Sequence, residues 1–180
     1  LGAPVGDRQF FWLWAPVNFD TFATHFDVNE FSDGTRWHES GYIIPDTQDP
    51  DIPTAMECSL VDYQMTLRPG TRWADSFRLQ LGNDSEEPSH LELEPLFEFQ
   101  MTGIGYGHPE WGHGHWKGEQ AVGFERWKLP VDAPCDPTSL HVQALCRARL
   151  GDHRGIGILE QMIIGPHTPL GLTGLVDPAG

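Results

Sequence analysis

Val61-Asp62-Tyr63-Gln64-Met65-Thr66-Leu67-Arg68-Pro69-Gly70-Thr71 decides the fold class. Val61, Tyr63, Met65 and Leu67 alternate with Asp62, Gln64 and Thr66, the two-residue period of a strand with one dry face and one wet face. Arg68-Pro69-Gly70-Thr71 places Pro second and Gly third in a tight turn. A type II turn asks for that order, because its third residue needs a positive φ. Trp73, Phe77, Leu79 and Leu81 carry the return strand. The unit is an antiparallel hairpin.

The same period extends in both directions. Downstream, Asn83 to Ser89 reads as an acidic loop. Leu91, Leu93, Phe97, Phe99 and Met101 then alternate with Glu92, Glu94, Glu98 and Gln100, and Pro95 marks a bulge or an edge. A further strand is expected from Gln120 to Leu129, followed by a Pro-rich loop at 130–137. Val142, Ala144, Cys146, Ala148 and Leu150 form one face of the next strand. After a turn at Gly151-Asp152-His153-Arg154, the expected matching face is Ile156, Ile158, Glu160, Met162 and Ile164. Upstream, Phe10 to Trp14 is an apolar strand covered on both sides. Phe22, Phe26 and Val28 oppose His25 and Asp27, and Ser32-Asp33-Gly34 turns the chain into a strand from Trp37 to Ile44. Residues 45–56 read as a surface loop and 165–180 as a Gly/Pro-rich tail. No helical period appears. The expectation is an antiparallel all-β domain, a barrel or closed sandwich.

The 180 residues suffice for one domain with its own core, 1–180. Acidic residues outnumber basic ones by 26 to 11, a formal charge of −15 that repels nucleic acid and anionic lipid headgroups. A neutral or apolar small molecule is compatible with that field. Cys58, Cys135 and Cys146 have no CxxC spacing, which argues against a disulfide framework or a thiolate zinc site and for a reducing, cytoplasmic setting. No apolar run reaches the roughly 20 residues needed to cross a bilayer, and no signal peptide is visible. Leu1 in place of an initiator Met suggests a piece of a longer chain, with 1–44 completing or linking to an N-terminal half.

Chemistry concentrates between 105 and 119. His108, His113 and His115 lie within eight residues, beside Glu110, Glu119, Tyr106, Trp111 and Trp116. On a strand, His113, His115 and Glu119 share a side and read as metal ligands. With Gly107 they resemble the first metal motif of the cupins, although Arg126 stands where that motif has Gly and the second motif has no match. No cofactor and no stoichiometric metal are expected; a metal-dependent cupin-like enzyme is the alternative.

Tyr106-Gly107-His108-Pro109-Glu110-Trp111-Gly112-His113-Gly114, Gly155-Ile156-Gly157-Ile158-Leu159-Glu160-Gln161, Gly165-Pro166-His167 and Phe11-Trp12-Leu13-Trp14-Ala15-Pro16 together resemble the C-terminal region of a bacterial family similar to the lipocalin-like carotenoid hydratases (hydroxyneurosporene synthases). The resemblance implies a lipocalin-like β-barrel, the C-terminal half of a two-barrel protein, and a terpenoid-like substrate. Hydrating an alkene takes a proton donor, a stabilised carbocation and a positioned water. Glu110, Glu119 and Glu160 are the candidate acids, and His108, His113 and His115 the candidate proton relays. Tyr106, Trp111 and Trp116 are the candidate substrate-facing rings, since aromatic faces attract cations. The expected function is that of a lyase or isomerase, hydratase in type. A non-catalytic carrier of an apolar ligand is a further alternative.

Plainer readings compete. His113 and His115 cap a Gly-rich turn; Trp111 and Trp116 belong to the core; His25 and His38 are cross-strand neighbours with no site between them. Glu160 pairs with Arg147 or Arg149, or, since those arginines face away from the Cys146 side, is buried without them and bonds a histidine or backbone amides near the central stretch.

Overall fold

The computed structural model describes residues 9–47, 49–52, 55–82, 89–100, 108–112, 114–128, 135 and 140–180. Its strands are β1 (Phe10–Trp14), β2 (Val17–Phe19), β3 (Phe22–Glu30), β4 (Arg36–Pro45), β5 (Met56–Glu57), β6 (Ser59–Leu67), β7 (Ala74–Gly82), β8 (Ser89–Gln100), β9 (His141–Leu150) and β10 (His153–Ile164), followed by a 3-10 turn at Thr168–Leu170. The fold is antiparallel and all-β, with no α-helix among the described residues. Among the described residues no helix is long and apolar enough to cross a membrane.

All the strands belong to one sheet, in the order β5-β4-β3-β1-β10-β9-β8-β7-β6, with β2 pairing β3 and β10 at the side. The two ends of that order are consecutive in the chain. Only Cys58 separates β5 from β6, and its N–H donates to the Gly41 carbonyl of β4 at 3.0 Å. The approach is so close that a Cβ on Gly41 would lie 2.4 Å from the Cys58 carbonyl oxygen. Arg36 reinforces this joint by donating from Nη1 to the Leu60 carbonyl at 2.8 Å. The main core gathers Phe11, Leu13, Phe26, Val28, Phe77, Leu79, Leu91, Leu93, Ala144, Cys146 and Leu159, all buried.

The opening hairpin forms as its turn chemistry demands. Gly70 has φ 77° and the Thr71 N–H donates to the Arg68 carbonyl at 3.0 Å. Four expectations need correction. In β8 the register shifts between Pro95 and Phe97, which inserts Leu96 and reverses the faces beyond it, leaving Phe97 58% and Phe99 59% exposed. No strand forms over the described part of 120–129. β8 pairs directly with β9, so no ladder position is left there, and Val122 and Phe124 stand almost fully in solvent.

In β10 the two-residue turn pairs Leu150 with His153, so even positions of β9 face odd positions of β10. Leu159, Gln161 and Ile163 therefore enter the main core, while Ile156 is exposed and Met162 and Ile164 join Phe10 and Trp12 in a separate small cluster. Finally, 165–180 is no loose tail. Arg72, 1% exposed, donates to the carbonyls of Gly165 at 2.8 Å, Gly174 at 3.0 Å and Asp177 at 2.7 Å, and pairs with the Asp177 carboxylate. The Gly70 N–H adds a bond to the Ala179 carbonyl at 2.9 Å.

Candidate functional site

Alternation along β1 sends Phe11 and Leu13 into the core and turns Trp12 and Trp14 to the opposite face of the sheet. On that face register does what sequence proximity cannot. Trp14 is paired with Asp27 of β3 on one side and Glu160 of β10 on the other. Asp27 is next to Ser40 of β4, and Glu160 next to Gln143 of β9. One row thus reads Ser40, Asp27, Trp14, Glu160, Gln143. The adjoining row holds His38, Asn29, Trp12, Met162 and His141.

Asp27 gathers three donors: the Ser40 hydroxyl at 2.8 Å and His25 Nε2 at 2.9 Å on Oδ2, and His38 Nε2 at 2.6 Å on Oδ1. Trp14 Nε1–H, which can only donate, reaches His25 Nδ1 at 3.3 Å. Neutral His25 therefore carries its proton on Nε2 and is committed at both nitrogens. His38 likewise donates from Nε2, which leaves its Nδ1 lone pair outward on a half-exposed ring. An ionised carboxylate holding one imidazole in one tautomer is the arrangement that makes the other ring nitrogen a directed base.

Glu160 is held in the same manner. Trp12 Nε1–H donates to Oε1 at 2.9 Å, Gln143 Nε2 to Oε2 at 2.5 Å, and His141 Nε2 lies 3.3 Å from Oε1. Burial pushes both carboxyls up. At Asp27 the bonds from Ser40, His25 and His38 outweigh it, and at Glu160 those from His141, Gln143 and Trp12 do, so both end below the usual carboxylate range. Two anions therefore share one aromatic face at neutral pH. Beside them opens a cavity of about 320 Å³ lined by Phe10, Trp12, Trp37, His38, His141 and Glu160, with Asn29 and Met162. That volume lies near the lower end of the roughly 300–1,000 Å³ usual for small-molecule sites.

A second polar group is buried at the main core. Tyr63 OH donates to Glu30 Oε2 at 2.8 Å, and His167 Nε2 meets the same oxygen at 2.8 Å while its ring stacks on Phe11 with centroids 4.4 Å apart. Burial, with the Glu30 charge beside it, pushes the Tyr63 phenol well up, so it stays protonated and donates. This knot ties the end of β3 to β6 and to the 3-10 turn. Glu30, Arg36 and Tyr63 also border a larger cavity of about 820 Å³.

The expected centre at 105–119 is placed differently. His108 Nδ1 accepts the backbone N–H groups of Glu110 at 3.1 Å and Trp111 at 2.7 Å, and its Nε2 donates to Glu125 at 2.8 Å. It caps a turn, the role weighed for its neighbours His113 and His115. Glu110, His115, Trp116 and Glu119 are exposed, outside any strand, so the shared strand side supposed for His115 and Glu119 does not exist. Trp111 is half-buried, with Lys117 Nζ 5.8 Å above its ring. Tyr106 and His113 lie outside the described residues. None of the described residues of 108–128 lines either cavity. No group of three His, Cys, Asp or Glu side chains among the described residues is arranged to hold a metal ion.

Glu160 is bonded to a histidine and to neither arginine: Arg147 goes to Glu94 and Arg149 to Glu92, both at 2.6 Å. That histidine is His141 of β9, not one of the central stretch. Sequence reasoning passed over Asp27, His25, His38, His141 and Gln143. The available signal was polar parity, His25 and Asp27 facing away from Phe26 and Val28. Cys58 and Cys146 offer no nucleophile, since burial pushes the Cys58 thiol up to about 11 and that of Cys146 to about 12.

No match was found among curated proteins or among solved structures. One family match spans residues 2–173, nearly the whole length. The chain belongs to the family described as a family of unknown function (DUF8625).

Proposed function

We propose that this is a lipocalin-like barrel acting as a lyase or isomerase, hydratase in type, on a hydrophobic, terpenoid-like small molecule. The barrel reading is supported by the approach of β4 to the junction of β5 and β6, where the Cys58 N–H donates to the Gly41 carbonyl and Arg36 reaches the Leu60 carbonyl. One observation carries the chemistry: His38, held through Nε2 by Asp27, and the Glu160 anion border the same aromatic cavity.

The roles differ from those expected of the carboxyl groups. Held as anions, Asp27 and Glu160 do not supply the proton. In hydration, protonated His38 delivers its Nδ1 proton to one alkene carbon and becomes neutral. The cationic carbon faces Trp12, Trp37 and Phe10, each ring worth about 0.5–2 kcal/mol to a cation, with Glu160 as counter-charge. Water then adds to that carbon, and its proton returns to His38 Nδ1. Dehydration is the same path reversed.

The test is turnover of a panel of monoterpenoid alkenes and their tertiary alcohols, assayed in both directions by mass spectrometry. Wild-type protein interconverts at least one pair, and His38→Gln slows it about 100-fold or more, the usual contribution of a positioned acid–base group. Wild-type rates in His38→Gln would defeat the assignment. A carrier reading is favoured by the larger cavity beside Glu30 and Tyr63, which is big enough for a ligand and lies among residues committed to one another.

A further inference from the structure

We infer that the cavity beside Glu160 is selective for positive charge, and that it binds small organic cations of the quaternary ammonium type. The inference rests on the reading that this cavity is the ligand site, and it names the ligand chemistry that the walls recognise.

Three aromatic side chains, Phe10, Trp12 and Trp37, and the Glu160 carboxylate line the same cavity, and among the described residues no Lys or Arg does. Rings surrounding a cation-sized space are the recognised means of holding an onium group, because the negative face of each ring replaces water without a strong hydrogen bond being required. Trp12 is tuned in that direction. Its indole N–H is spent on Glu160 at 2.9 Å, which leaves its faces for packing and pushes electron density into the ring.

Among the described residues the donors on Glu160 are a Trp, a Gln and a His, and no guanidinium or ammonium approaches it within ion-pair distance. Its charge is spread over hydrogen bonds and is not cancelled by a fixed cation. Two strands further along, Asp27 is a second anion, held by Ser40, His25 and His38. A neutral apolar ligand closing this cavity strips water from the Glu160 anion and returns nothing. An ammonium ligand strips the same water and supplies the missing charge. The chain's net charge of −15 adds a long-range attraction of the same sign. A cation-selective wall is also what a reaction through a carbocation requires, so a stable onium ion is the probe for it.

The experiment compares choline with 3,3-dimethyl-1-butanol, which has the same shape with carbon in place of nitrogen. Binding is read by tryptophan fluorescence and calorimetry at about pH 8. Choline is expected to bind at least about tenfold more tightly than the alcohol. Glu160→Gln, checked for fold by circular dichroism, brings choline down to the level of the alcohol. Trp37→Leu, a change at a half-exposed ring that leaves folding intact, weakens choline about fivefold or more.

Equal or tighter binding of the alcohol overturns the inference while leaving the ligand-site reading standing. Binding of neither compound overturns both. Choline binding that disappears with added salt and ignores both substitutions is attraction to the acidic surface, and also overturns it.

Discussion

Replacing Asp27 with Asn tests how the site is wired without any knowledge of the substrate. The carboxylate accepts from His25 and Ser40 on one oxygen and from His38 on the other. An amide turns one of those oxygens into a donor. If the NH2 faced His25, two donors would clash, because the Trp14 bond to Nδ1 prevents His25 from changing tautomer. Facing His38 costs less. His38 Nε2 can accept once its proton has moved to Nδ1, where no hydrogen bond prevents it.

Asp27→Asn is therefore expected to switch His38 from the Nε2–H to the Nδ1–H tautomer and to remove its outward lone pair. Three bonds to a charged acceptor become neutral ones, at about 1 kcal/mol each. Discounting the half-exposed His38 bond leaves about 2–3 kcal/mol, a fall in Tm of roughly 5–10 °C for a chain of this size. Two-bond proton–nitrogen correlation spectra of the histidines read the tautomers, and calorimetry reads Tm. A substituted protein in which His38 keeps Nε2–H, or in which His25 changes tautomer instead, would refute the wiring.

Other outcomes follow from the same geometry. Arg72→Met removes a buried cation that satisfies carbonyls at Gly165, Gly174 and Asp177, so a loss of about 3–5 kcal/mol in urea unfolding is expected, and a loss under 1 kcal/mol would count against the latch. Asp27 and Glu160 have lower pKa values folded than unfolded, so the unfolded chain takes up protons first as pH falls. Their stabilisation is complete above about pH 5, declines through the ordinary carboxyl range near 4, and should decline less steeply in Glu160→Gln. A pH–stability curve of unchanged slope in that variant would show that Glu160 is not held as described. His108→Ala removes a turn cap, costing about 0.5–2 kcal/mol and leaving choline titrations of the cavity unchanged; lost ligand binding in a folded His108→Ala protein would return the centre to 105–119.

Much of the fold was legible because local periodicity reports it. The β6–β7 turn needed its glycine at position 70, and β9 showed its core face in five alternate residues. The face of β10 was misread, although the information was present: a two-residue turn at Gly151-Asp152 pairs Leu150 with His153 and sends Leu159, not Glu160, opposite Ala144. At β8 the proline signalled a bulge, but not that everything beyond it would exchange faces. The site was harder. A run of histidines between glycines drew attention to 105–119, yet glycines equally mark an exposed loop, and His108 spends its nitrogens on that loop's own backbone.

By itself the sequence determined that the chain folds as antiparallel strands, where several of them turn, and that its surface repels polyanions. Each of these depends on neighbours a few residues apart or on summed charge. Only the tertiary structure decided that Trp14 stands between Asp27 and Glu160, or that Trp12 reaches Glu160 across 148 positions. Pairing β1 with β3 on one side and β10 on the other fixes that register, and a slip of one residue would turn every one of these groups to the opposite face. The choice among registers belongs to the core behind them, where Phe11, Leu13, Val28 and Leu159 pack together only in this one.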